Sequence, residues 1–283
     1  MSSLDQELGP LTTDDRRRYH ELLDDLRNRK AVMVAYSGGV DSTFLAYAAH
    51  QALGTAAMLV TAVSPSFAKA DRERATELAR QNGWNFYEIE TQEIKNPDYR
   101  KNHAGRCYFC KFELFQQMES LAKDEGVHHL LYGAIPEDQG DHRPGSVAAS
   151  EFAVAAPLSS LGIGKDSVRR LSREFGLSTW NLPASACVAS RISYHSDVTV
   201  EKLDRVEKAE CLLKELGFPR CRVRHHDSIA RIEIPPDSFL RLLQDREVIN
   251  QRFKQLGFVY VTLDIAGLRS GSMNEVLKLR VIS

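Results

Sequence analysis

Ala31-Val-Met-Val-Ala-Tyr36-Ser37-Gly38-Gly39-Val40-Asp41-Ser42 joins an apolar run to two glycines and then to a stretch of helical character, residues 42–53. A short apolar run that ends in glycines reads as a buried strand, and the stretch after it as a helix. A glycine-rich turn at such a junction bares backbone N–H groups at the positive end of the helix, where they can cradle phosphate oxygens. The loop lacks the Gly-Lys-Ser/Thr ending of a Walker loop and the GxGxxG spacing of a dinucleotide fold, so ordinary kinases, GTPases and dehydrogenases fit it poorly. The plainer alternative is a helix start in which Ser and Gly merely cap and turn.

Outward from this loop the same alternation continues. Residues 14–30 carry Leu22, Leu23 and Leu26 at helical spacing, 56–63 reads as a strand, 69–82 as a helix and 85–89 as a strand. A further helix is expected at 112–125 and a core strand at 128–132, followed by Gly133. Alternation of this kind builds an α/β fold, a parallel sheet with helices on both faces, whose ligands bind at the carboxyl ends of the strands. Past residues 185–198 the pattern changes to a helix at 199–216, strands within 221–234, a helix at 235–255 and a strand at 258–264. Two domains are therefore expected: 1–190, and a smaller α+β domain at 191–283.

With 283 residues, 43% hydrophobic and 27% charged, the chain can bury a sizeable core. Its formal net charge of −1 provides no global positive field to hold a nucleic acid by counterion release. No apolar signal core and no stretch long enough to cross a bilayer is visible, so a cytoplasmic protein is expected. Five cysteines in such a chain point to metal binding or chemistry rather than to a disulfide framework.

Ser37-Gly38-Gly39-Val40-Asp41-Ser42 resembles the PP-loop, SGGxDS, of the N-type ATP pyrophosphatases. The resemblance implies that the loop holds the pyrophosphate of ATP, that Asp41 helps bind Mg²⁺, and that the reaction joins AMP to a substrate oxygen with release of pyrophosphate. Such proteins differ in what attacks the adenylate, ammonia or sulfur, and the cysteines discriminate. Cys107-Tyr-Phe-Cys110 has the spacing that grips zinc or an iron–sulfur cluster, and Cys187 follows Pro183 at the expected domain junction. Three thiols leave one iron of a 4Fe–4S cluster open to carry an extra sulfide. A structural zinc site, with His103 as a further ligand, or a pair of buried apolar thiols are the alternatives. Arg106, Lys111 and Arg191 bring positive charge near these thiols in sequence. Cys211 and Cys221 read as packing residues.

Over nearly the whole chain the resemblance is to the LarE family. It is carried by Asp141-His-Arg143-Pro144-Gly145, Ala184-Ser-Ala-Cys187-Val-Ala-Ser190-Arg191, Gly217-Phe-Pro219, Arg222-Val-Arg224-His-His-Asp227, Ile229-Ala-Arg231-Ile-Glu233 and Tyr260-Val-Thr-Leu-Asp264-Ile-Ala-Gly267-Leu-Arg269-Ser-Gly271. The resemblance implies an ATP-dependent sulfur transferase of nickel-pincer nucleotide biosynthesis, which makes the cofactor of lactate racemase. Its small-molecule substrate would be pyridinium-3,5-biscarboxylic acid mononucleotide, whose carboxylates become thiocarboxylates. In single-cysteine members the cysteine matching Cys187 gives up its own sulfur and becomes dehydroalanine; Cys107 and Cys110 make this chain similar instead to three-cysteine members with a 4Fe–4S cluster. A homo-oligomer, a hexamer, is implied by the same analogy.

Arg222 and Arg224, two apart on a strand, share a face and suit a phosphate monoester. Glu210, Glu233, Arg269, Asp141 and Arg143 are further substrate-site expectations, with surface ion pairs or a simple loop role as the alternative for the acidic and loop residues, Glu151 among them. Three rival readings remain: a tRNA thiolase, which the near-zero charge and absent RNA module disfavour; a nucleotide-binding regulator without turnover, disfavoured by intact Ser37, Asp41 and Ser42; and an ammonia-using synthetase, for which no glutaminase nucleophile is identifiable.

Overall fold

The computed structural model describes residues 8–140, 144–183, 187–269 and 271–275. The chain divides into two compact units, Met1–Glu93 with Cys107–Ser185, and Ile94–Arg106 with Ala186–Ser283.

In the first unit, helix α1 (Thr13–Arg29) leads into strand β1 (Val32–Ala35), then α2 (Val40–Leu53), β2 (Ala57–Val63), α3 (Lys69–Gln81) and β3 (Asn85–Glu90). After the short helix α4 (Pro97–Arg100), which belongs to the second unit, come α5 (Arg106–Asp124), β4 (Leu130–Tyr132), α6 (Pro144–Glu151), the one-turn α7 (Pro157–Ser160) and α8 (Lys165–Glu174). The strands form a four-stranded, all-parallel sheet in the order β3-β2-β1-β4. Period-two alternation splits each strand between two cores. Val32, Val34, Leu59 and Leu131 pack with Leu22, Leu26, Phe44 and Leu45 on one face. Met33, Met58, Val60 and Leu130 pack with Phe115 and Met118 on the other. This is the expected α/β architecture.

The second unit continues with α9 (Val200–Glu215), β5 (Arg222–His226), β6 (Ile229–Glu233), α10 (Phe239–Gln244), α11 (Arg246–Gln255) and β7 (Tyr260–Leu263). Its three-stranded sheet, β5-β6-β7, pairs β5 with β6 antiparallel and β6 with β7 parallel. A separate core of Leu213, Phe218, Val223, Ile232, Ile234 and Phe253 sits between sheet and helices.

Three differences from the sequence expectations have physical causes. The helix expected at 112–125 begins at Arg106, so the Cys107–Cys110 pair lies inside its first turn. The helix expected at 235–255 is broken: Pro235 and Pro236 delay its start, and Asp245 interrupts it between α10 and α11. Helix α8 is absent from the sequence expectations; it is ten residues long and follows Gly162 and Gly164, so its periodicity is brief.

A buried ion pair ties the first and last helices of the first unit. Thr12 and Asp15 form a reciprocal capping box at the start of α1. Asp15, 1% exposed, also accepts from Arg170 Nε and Nη2 of α8 at 2.7 and 3.0 Å. Burial opposes its charge, but hydrogen bonds from Arg170, Ser167 and Thr12 prevail and hold the carboxyl below the usual 3.8. Its contribution to stability is therefore complete at neutral pH and is lost as pH falls below 3.8. Asp15→Ala is expected to lower the unfolding free energy of this unit by about 2–4 kcal/mol. A urea midpoint that does not move would show that neither cap nor pair holds α1 to α8.

Candidate functional site

At the carboxyl end of β1 the chain turns through Ser37-Gly38-Gly39 into α2. Gly38 has φ +66°, and a Cβ there would lie 2.9 Å from the Ala75 side chain of α3. Both the left-handed conformation and the close approach demand glycine. Gly39 is the N-cap of α2 and supplies no capping side chain, which leaves first-turn amides for an anion. Ser42 Oγ closes the loop on itself, 3.2 Å from Ser37 N and 3.0 Å from Ser37 Oγ. Arg74 of α3 donates from Nε to the Gly38 carbonyl at 3.2 Å while its Nη2 is held by Asp71 at 2.7 Å. From the other side Gly133, just past β4, packs on the loop so tightly that a Cβ would meet Ser42 N at 3.0 Å.

Asp41, the expected Mg²⁺ ligand, is met by Lys165: Nζ lies 2.6 and 2.8 Å from its two oxygens. Oxygen donors of this kind suit a hard cation, which would compete with the ammonium for them. Lys165 opens α8, where the helix dipole disfavours a cation. Glu137 compensates by accepting from Lys165 N at 2.8 Å, in a position only the missing Cβ of Gly164 permits. The sequence reading missed Lys165. Its signal was a lysine directly after a glycine N-cap, electrostatically misplaced unless an anion faces it.

Cys107 and Cys110 stand three residues apart on the first turn of α5, on one face of the helix. Cys107 is exposed and Cys110 half-buried, and neither forms a disulfide. The next residue, Lys111, places Nζ 4.5 Å from the ring centroid of Tyr132, the last residue of β4. Tyr132 adjoins Gly133, so this turn of α5 belongs to the same end of the sheet as the phosphate loop. Nearby Tyr108 donates to Glu151 of α6 at 2.8 Å. Two thiolates on one face are the right donors for zinc or an iron–sulfur cluster and make up half of a ligand set. Among the described residues no group of three or more His, Cys, Asp or Glu side chains is gathered to hold a metal ion.

In the second unit Cys187 is exposed and heads a 3-10 turn, Val188–Arg191. Three buried arginines anchor the backbone of that turn. Arg191 Nη1 donates to the Cys187 carbonyl at 2.9 Å, Arg106 Nη1 to Ala189 O at 2.8 Å and Arg224 Nη1 to Ser190 O at 3.3 Å. Arg106 Nη2 also approaches Cys187 Sγ at 4.0 Å. The acidic residues expected to meet substrate are committed to these arginines. Glu210 accepts from Arg191 Nε at 3.0 Å and from Val223 N at 3.1 Å. Glu233, fully buried, accepts from Arg224 at 2.8 Å, Ser272 Oγ at 2.7 Å and Arg231 at 3.1 Å. Burial opposes its ionisation, yet Arg224 and Ser272 hold its carboxyl below the usual value. Both carboxylates thus position arginines.

Arg222 is different. Burial, and then the neighbouring guanidiniums of Arg191 and Arg224, push it below the ordinary arginine value. Its Nη1 donates to the Cys221 carbonyl at 2.8 Å. Arg269 pairs with Asp264 and Glu275, at 3.1 and 3.0 Å. Asp141 and Arg143 lie outside the described residues.

A family model described as NAD synthase matches residues 20–104, the segment that holds the phosphate loop. An uncharacterized protein of Synechocystis is 42% identical over 247 residues, 87% of this chain and 92% of that protein. The pyridinium-3,5-bisthiocarboxylic acid mononucleotide synthase of Lactiplantibacillus plantarum is 35% identical over 257 residues, 90% of this chain and 93% of the relative. One subunit of the glutamine-hydrolyzing GMP synthase of Pyrococcus furiosus is 26% identical over 70% of this chain and 67% of its own length.

Lys165→Ala is expected to weaken ATP binding about tenfold, about 1.4 kcal/mol, in calorimetric titration with the thermal transition unchanged. An unaltered Kd would detach Lys165 from the nucleotide site.

Proposed function

Because this chain belongs to the LarE family, we propose that it adenylates the carboxylates of pyridinium-3,5-biscarboxylic acid mononucleotide and converts them to thiocarboxylates. The observation that carries the reading is the uncapped N-terminus of α2 behind Ser37-Gly38-Gly39, with the Asp41–Lys165 pair at its rim.

A carboxylate resists nucleophiles because its leaving group would be oxide. Attack of a carboxylate oxygen on the α-phosphorus of ATP breaks the bond to the β-phosphate bridge, forms an acyl adenylate and expels pyrophosphate. The first-turn amides of α2 and the ammonium of Lys165 receive the charge that develops on the departing pyrophosphate. Mg²⁺ bound with ATP would take Asp41 as an oxygen ligand and shield phosphate charge. Hydrosulfide sulfur then adds to the acyl carbon, AMP leaves with the electron pair of the broken C–O bond, and the proton passes to solvent. Two such cycles convert both carboxylates.

Arg222, flanked by the guanidiniums of Arg191 and Arg224, is the group proposed to hold the substrate's phosphate, and Arg224 stays fixed beside it by Glu233. Cys107, Cys110 and Cys187 are the thiols proposed to hold a 4Fe–4S cluster, whose open iron would supply sulfide. Arg106, close to Cys187 Sγ, also favours a second source, the Cys187 sulfur itself. On that route the thiol displaces AMP to give a thioester, a base removes the Cα proton, and the Cβ–S bond breaks to leave dehydroalanine.

With ATP, the biscarboxylated nucleotide and a sulfide source, pyrophosphate release and thiocarboxylate formation are expected to rise and fall together. Asp41→Asn is expected to reduce both at least about 10²-fold. Pyrophosphate release that ignores the pyridinium nucleotide but follows tRNA would replace this reading with a tRNA thiolase. For the sulfur source, anaerobically prepared chain should bind iron and sulfide, and Cys107→Ser or Cys110→Ser should lose both while retaining ATP binding. Iron retained in either variant would sink the three-thiol site, and a loss of about 34 Da per chain after one turnover would assign the sulfur to Cys187 instead.

A further inference from the structure

We propose that His103 and His195 form a two-imidazole site for a divalent transition-metal ion, one that uses no residue of the phosphate loop and none of the three thiols. Both residues belong to the second unit, and both rings are exposed. Their Nδ1 atoms face each other at 3.1 Å, with ring centroids 5.0 Å apart and planes inclined at 60°. Metal–imidazole bonds of about 2.0–2.1 Å, meeting at square-planar to tetrahedral angles, separate two ligand nitrogens by roughly 2.9–3.4 Å. The observed spacing falls inside that interval, so the two nitrogens already stand as far apart as a shared ion requires.

The surrounding backbone holds the pair in place. Asn102 and His195 are two of the few non-glycine residues in the left-handed region, with φ +53° and +65°. Such conformations persist where neighbouring structure over-determines them, and they gather at ligand sites. Asn102 is fully buried; its Nδ2 donates to Ser193 O at 2.8 Å and Ile192 O at 3.2 Å, and its Oδ1 accepts from Arg106. His195 N donates to Asn102 O at 3.3 Å, and Val198 N to Arg100 O at 2.8 Å. These bonds tie the segment 100–103 to 192–198 and leave the two imidazoles at the open end.

Donor chemistry selects the ion. Neutral imidazoles are borderline ligands that favour Cu²⁺, Ni²⁺ and Zn²⁺ over Mg²⁺ or Ca²⁺. No third His, Cys, Asp or Glu completes the set among the described residues, so water or an external ligand would fill the remaining positions. Without metal, the same spacing serves an Nδ1–H···Nδ1 hydrogen bond. On binding, that proton moves to Nε2 through solvent and both Nδ1 lone pairs turn to the ion, with no net proton released.

The test uses full-length chain carrying Cys107→Ser, Cys110→Ser and Cys187→Ser, so that thiols do not compete, stripped of metal at neutral pH. Cu²⁺ is followed by calorimetry and by electron paramagnetic resonance, with Zn²⁺ as competitor and Mg²⁺ as control. One ion per chain is expected, with two equivalent-class nitrogens coupled to the copper. His103→Ala or His195→Asn should weaken binding at least tenfold and remove one of the two nitrogen couplings. Asparagine is chosen at 195 because it tolerates the left-handed backbone. An independent readout needs no histidine substitution: Zn²⁺ should shift the Nδ1 resonances of two of the nine histidines. Unchanged copper affinity in the His103→Ala/His195→Asn double variant, a single-nitrogen spectrum, or Zn²⁺ shifts confined to other histidines would each overturn the proposal.

Discussion

Backbone-to-backbone approach at the phosphate loop is the constraint on which the first unit depends. A helix N-terminus binds an anion well only if nothing from the chain already occupies its first-turn amides, and Gly39 leaves them open. An open loop must be made rigid from outside. Here Ala75 presses on Gly38, Gly133 presses on Asp41 and Ser42, and Arg74 takes the Gly38 carbonyl. One helix, α3, and the residue just past β4 thus fix a turn whose own side chains are small. The consequence is a demand for glycine at 38, where φ is positive, a preference for glycine at 133, and a small residue at 75.

The second unit solves the opposite problem, burying charge instead of baring backbone. Arg106, Arg191, Arg224, Glu210 and Glu233 are all nine-tenths or more buried, which is tolerable only because each is hydrogen-bonded to an opposite charge, a buried amide or a carbonyl. The result is a rigid backbone under an exposed thiol. Carbonyls 187, 189 and 190 are each held by a different guanidinium, while Cys187 is exposed and its Sγ lies 4.0 Å from Arg106 Nη2. Arg222 lies beside this set, and burial together with the guanidiniums of Arg191 and Arg224 pushes it below the ordinary arginine value.

How much of this was legible in advance follows from the range of each interaction. The alternation of strands and helices, the turn at Ser37–Ser42 and the change of character after residue 185 are local patterns of hydrophobicity and glycine, and period-two and period-3.6 repeats report them directly. The pairing of Cys107 with Cys110 was equally local, since three residues on a helix fix a shared face. Pairings across long sequence separation carried no such signature. Lys165 lies 124 residues from Asp41, Arg224 reaches Ser190, and His103 meets His195 only because a buried asparagine ties their segments together.

The sequence by itself therefore determined the α/β class, the phosphate loop and the residue types available for sulfur chemistry, because each depends on near neighbours in the chain. Tertiary structure alone decided which charges are engaged in holding the fold and which remain for a ligand. Glu210 and Glu233 look in sequence like substrate contacts, but burial forces them onto Arg191 and Arg224. Lys165 looks like a surface residue, but the helix it opens delivers it to Asp41. A charged side chain's role is set by the dielectric and the partners around it, and those are assembled only when distant segments pack together.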